Sequence, residues 1–62
     1  MKLNLEPNIA NPDDFYEALI DTFRDMTDEE SKEMNAMLVL ILANHIGDIE
    51  VLKDAMRIAK ES

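Results

Sequence analysis

Residues 27–48, TDEESKEMNAMLVLILANHIGD, decide how this chain must fold. The stretch opens on Thr27 with Glu30 three positions on. At that spacing a threonine hydroxyl and a glutamate carboxylate can reciprocally satisfy free donors of a helix N-terminus. It closes on Gly47, which tolerates the left-handed conformation that ends many helices, and on Asp48, a side chain suited to capping the next one. Between these signals the eight residues Ala36–Ala43 are apolar without interruption. At about 3.6 residues per turn, Met34, Leu38, Ile41 and His45 share one face, and Val39, Leu42 and Ile46 a second. Met37, Leu40 and Asn44 share a third, and the small Ala36 and Ala43 a fourth. A surface helix of a monomer needs one apolar stripe, whereas a helix apolar all round has to be surrounded.

The neighbours on either side read as two further helices and an arm. Asn11 is the expected N-cap of a first helix, with Pro12 at its first position followed by Asp13 and Asp14. Phe15, Ala18, Leu19, Thr22, Phe23 and Met26 then form one face, and Asp14, Glu17, Asp21, Arg24 and Asp25 the other. The third helix has an apolar arc about half its circumference wide, built from Ile49, Val51, Leu52, Ala55, Met56, Ile58 and Ala59. Its polar arc spaces Glu50–Lys53, Asp54–Arg57 and Arg57–Glu61 for ion pairing. Residues 1–11 alternate polar and apolar positions around Pro7, Asn8 and Asn11, so they read as an arm whose Leu3, Leu5 and Ile9 pack on the helices. The expected fold is all-α: an arm over 1–11, then a 12–62 domain forming a three-helix bundle with helices near 12–26, 28–46 and 49–60.

Size argues that the bundle is completed by dimerisation. Sixty-two residues make one domain at most, and a chain this short buries only about 60% of the surface that unfolding exposes. With no cysteine, neither a disulfide nor a thiolate metal site can staple it, which leaves oligomerisation as the common remedy. The expected interface is Ala36, Val39, Leu40 and Ala43 of helix 2 with Val51, Ala55 and Ile58 of helix 3, and the expected assembly is a homodimer. The longest apolar run, eight residues, is far short of the roughly 20 needed to span a bilayer. MKLNLEPN carries no apolar segment of the kind signal peptides use, so no membrane association and a cytoplasmic location are expected. A net charge of −8 makes nucleic acid an unsuitable partner, because phosphate binding needs clustered Lys and Arg.

The same acids have an ordinary explanation. Asp13, Asp14, Asp28, Glu29, Glu30, Asp48 and Glu50, seven of the fourteen, fall in the first turns of the three helices or cap them, where carboxylates complement the helix dipole. His45 is the only histidine and reads as a packing or capping residue. Without a Cys, a second His or a Glu-x-x-His pair beside it, neither zinc nor a di-iron centre has ligands, and no cofactor is expected. Neither Ser31 nor Ser62 follows a strand–turn–helix context that would make it a nucleophile. Tyr16, Asn44 and His45 remain the polar side chains that could act on a partner enzyme.

With these residues in view, the chain resembles a family of short bacterial proteins designated domain of unknown function 2783. The resemblance is carried by Leu3-Asn4, Glu6-Pro7-Asn8-Ile9, Phe15-Tyr16-Glu17, Asn35-Ala36 and, most specifically, Ala43-Asn44-His45-Ile46-Gly47-Asp48. Phe23 and Met37 stand where that pattern more often has His and Arg. The resemblance implies small helical proteins encoded beside enzymes of aromatic-compound degradation, notably flavin-dependent hydroxylases, and hence an accessory role. The segment Thr27–Leu52 is also similar to part of the small helical subunit of ring-cleaving protocatechuate dioxygenases. The functional expectation is a non-catalytic helical interaction module, with the resemblance implying an accessory subunit of such an enzyme. Its alternative is an acidic inhibitor or antitoxin-like protein that binds a basic partner through helix 1.

Overall fold

The computed structural model describes all residues, Met1–Ser62. It contains three helices and no strand: α1 (Pro12–Phe23), α2 (Asp28–Ile46) and α3 (Ile49–Glu61). Residues 1–11 form a non-helical arm.

Local chemistry explains each boundary. Pro12 presets the backbone for the first turn of α1 and has no amide hydrogen to leave unsatisfied. Asn11 precedes it, but its side chain makes no capping bond; only its carbonyl takes part, accepting from Phe15 N at 3.1 Å. The expected Asn11 cap is therefore a proline start. The expected end near residue 26 is also corrected, because α1 stops at Phe23. Thr27 is extended, with φ −72° and ψ 165°, so the chain must leave the helical path before it. Arg24 is extended at ψ 134°, and Asp25 adopts φ +64°. A left-handed residue other than glycine costs on the order of 1 kcal/mol, and aspartate is among the side chains that tolerate it best.

The capping box of α2 is complete. Glu30 N donates to Thr27 Oγ1 at 3.1 Å, and Thr27 N donates to Glu30 Oε1 at 3.0 Å. At the other end Gly47 sits at φ +70°, and its amide donates to the Ala43 carbonyl at 2.9 Å. Asp48 then caps α3, its Oδ1 accepting from Glu50 N at 3.0 Å and Val51 N at 3.3 Å. Of the three ion pairs expected along α3, only Arg57–Glu61 forms, at 3.3 Å. Glu50, Lys53 and Asp54 are exposed to water, where pairs of this kind contribute little. α3 runs one residue past its expected end, with Ser62 Oγ donating to the Ile58 carbonyl at 2.9 Å.

The helices do not close into a bundle within one chain, because no two of them pack along their lengths. Val51 is the single buried residue, 5% exposed. Half-buried side chains gather at the two corners. Leu19, Phe23, Met26, Ser31, Met34 and Leu38 are half-buried on either side of the α1–α2 turn, and Ala43, Asp48, Leu52, Ala55 and Ile58 flank the second with the buried Val51. The arm lies against α3: Met1, Lys2, Leu3 and Leu5 share a crevice with Val51, Asp54, Arg57 and Ile58. Leu3 is half-buried there, whereas Leu5 and Ile9 remain exposed.

Two outcomes follow from these caps. The hydrogen bond from the Thr27 amide, reinforced by the Thr27 side chain, holds the Glu30 carboxyl below the usual glutamate range. Its folded-state pKa is lower than its unfolded one, so its contribution is present above the unfolded value and lost as pH falls through the folded value. Helix content of the wild-type chain should therefore fall more on acidification than that of Glu30→Gln, whose amide can still accept the Thr27 bond. Identical acid limbs by circular dichroism would contradict this. At Gly47 an added Cβ would meet nothing closer than the Asn44 carbonyl at 3.7 Å, so the penalty is conformational and not a clash. Gly47→Val should destabilise by at least about 1 kcal/mol in urea unfolding.

Candidate interaction surface

Along α2 the side chains divide by charge. Asp28, Glu29, Glu30 and Glu33, with Lys32 among them, occupy the first turns; from Met34 to Ile46 there is no acid, no Lys and no Arg. The half-buried Ser31, Met34 and Leu38 mark the side turned toward the α1 corner. On the opposite side Ala36 and Ala43 lie along the centre line, flanked by Val39 and Leu40, which are 63% and 64% exposed. Met37, Ile41 and Leu42 continue the apolar surface around the helix, each more than half exposed.

The surface is large for a chain of this mass. A compact 7.1 kDa monomer exposes about 4,100 Å², whereas this chain exposes 5788 Å². Its Cα radius of gyration is 13.3 Å, against about 10.6 Å for a compact domain of this length. Soluble monomers rarely leave apolar patches beyond a few hundred Å² uncovered.

The interface expected from sequence splits between the two helices. Ala36, Val39 and Leu40 are exposed on the open side of α2, whereas Ala43, on the same face one turn from its end, is half-buried near the second corner. On α3, Val51 is covered within the chain and Ala55 and Ile58 are half-buried, with the arm running over Val51 and Ile58. The open apolar residues of α3 are instead Ile49 and Met56, 59% and 62% exposed. Both belong to the apolar arc that the sequence shows, but periodicity does not say which edge of an arc the arm takes.

The three polar candidates are all exposed, and no hydrogen bond is made by the side chains of Tyr16, Asn44 or His45. Asn44 and His45 sit together in the last turn of α2. Tyr16 lies on α1 in a shallow groove with Asp13, Glu17, Ile20, Asp21 and Arg24, its ring 6.1 Å from that of Phe15. Asp21 pairs with Arg24 at 2.7 Å, so part of the acidic face of α1 is neutralised within the chain. No three His, Asp or Glu side chains are gathered closely enough to hold a metal ion. No helix is long and apolar enough to cross a membrane.

Neither a curated protein nor a solved structure matches the chain. A family model described as "Protein of unknown function (DUF2783)" matches residues 3–61. With that match running from Leu3 to Glu61, the chain belongs to the DUF2783 family.

Proposed function

We propose that this protein is a non-catalytic helical interaction module that works by apolar docking of α2, and that its first partner is a second copy of itself. The observation that carries this reading is the uncovered surface. The excess over a compact monomer is about 1,700 Å² per chain. Burying it in a symmetric pair would remove about 3,400 Å², within the range of obligate homodimers, about 2,000–5,000 Å². A dimer would leave Tyr16, Asn44 and His45 available to an unlike partner, which suits the accessory-subunit role suggested by the family resemblance. The alternative, capture of a basic partner by the acidic face of α1, draws support from the exposed Asp13, Glu17 and Asp21 around Tyr16. The Asp21–Arg24 pair weakens it.

Salt separates the two readings. Association of two chains that each carry −8 through apolar surface should hold or tighten between about 0.05 M and 0.5 M salt, because screening relieves their mutual repulsion. Docking to a basic partner should weaken steeply. Sedimentation should show a dimer at micromolar concentration, with a melting temperature that rises with concentration. Leu40→Glu places a charge where the chain itself makes no enclosure, and an unpaired charge buried in an interface costs on the order of 3 kcal/mol. The variant should dissociate at least about a hundredfold more readily. A wild-type monomer with a concentration-independent transition would overturn the proposal. His45→Gln should leave helix content and sedimentation unchanged, because His45 makes no side-chain hydrogen bond to lose.

A further inference from the structure

We infer that two copies associate through α2 running antiparallel, across a two-fold axis that passes between Val39 and Leu40. The inference rests on the self-association reading above and adds the orientation and register that charge and geometry select.

A two-fold can pair the open side of α2 with its copy in two ways. Run parallel, the helices lay Asp28, Glu29, Glu30 and Glu33 of both chains side by side. Each cluster is offset only by Lys32, and helix axes pack about 8–10 Å apart. That distance is close to a Debye length at physiological salt, so the repulsion is only partly screened. Run antiparallel, the 19-residue helix separates the two acidic turns by nearly its own length, about 28 Å. Several Debye lengths then lie between them, and each acidic turn approaches the last turns of the other helix, which hold no acid before Asp48, itself engaged in capping α3 and paired with the Met1 amino group at 3.8 Å. The register follows from the apolar segment. Its midpoint falls between Val39 and Leu40, so a two-fold there superposes the whole segment on its copy and leaves no apolar end uncovered. Ala36 then faces Ala43 of the second copy, where their small side chains allow close approach. Val39 and Leu40 each meet their own counterparts on either flank of the axis. A register shifted toward the acidic turns lays them over apolar surface, and one shifted the other way leaves Ala36 and Met37 facing the chain beyond the end of α2.

The absence of native cysteine makes disulfide trapping clean. A disulfide requires Cα atoms within about 7 Å. In the antiparallel register two copies of residue 36 lie about 10 Å apart along the axis, as do two copies of residue 43, because seven residues rise that far. Val39→Cys should oxidise to a covalent dimer, and so should the double variant Ala36→Cys/Ala43→Cys. Each single variant at 36 or 43 should remain an unlinked chain under the same oxidising conditions. Efficient linkage of Ala36→Cys alone would establish the parallel arrangement and overturn the inference while leaving self-association intact. A sedimenting dimer in which none of the variants links would place the interface away from α2 and also overturn it. A wild-type chain that sediments as a monomer would remove the underlying reading, and with it a second copy as the occupant of this surface.

Discussion

A helix that is apolar on every side has to be enclosed, and the rest of this chain is too short to enclose it. Two helices of 12 and 13 residues and an eleven-residue arm are all that remain outside α2 and its turns. Two neighbours cover part of a cylinder. What the chain does with them is protect its corners, where the turns at Arg24–Thr27 and Gly47–Asp48 bring apolar side chains together with little loss of freedom. The long middle of α2 is left open. The acids follow the same logic from the other side, for they crowd the helix starts, where dipoles and capping bonds hold them, and stay off the stretch that must be buried.

The parts of this architecture that depend on a few adjacent residues were legible in the sequence. The reciprocal bonds of Thr27 and Glu30, the left-handed Gly47 and the Asp48 cap are local events, specified by residues three or four apart, and each stands where its pattern puts it. The end of α1 was harder. Its apolar periodicity continues to Met26, but the extended backbone that Thr27 needs forces the helix to unwind earlier, through a positive φ at Asp25 that the pattern does not announce. Asn11 shows the opposite case, a residue of capping type in the capping position whose side chain is not used, because Pro12 starts the helix by itself.

What the sequence left open was which surface covers which. The wide apolar arc of α3 reads the same whether a second copy or the chain's own arm lies on it. The structure divides that arc, giving Val51 and Ile58 to the arm and leaving Ile49 and Met56 exposed. Tyr16 and the Asn44–His45 pair were likewise legible as exposed polar groups but not as a site, since they stand on separate elements without bonds to anything around them. The geometry thus leaves the middle of α2, with Ile49 and Met56 of α3, as the uncovered apolar surface.

The hydrogen bonds carry a kinetic consequence. None of them joins residues more than four apart, so each helix can form and melt by itself on the microsecond scale typical of short helices. Only the apolar corners, the arm on α3 and the Met1 amino–Asp48 ion pair at 3.8 Å link the three within one chain. Cooperativity has to come from apolar enclosure, and where that enclosure is intermolecular the slow step is an encounter between chains, second order in protein. The protection of backbone amides against exchange would then report the lifetime of the assembly and not the stability of any one helix.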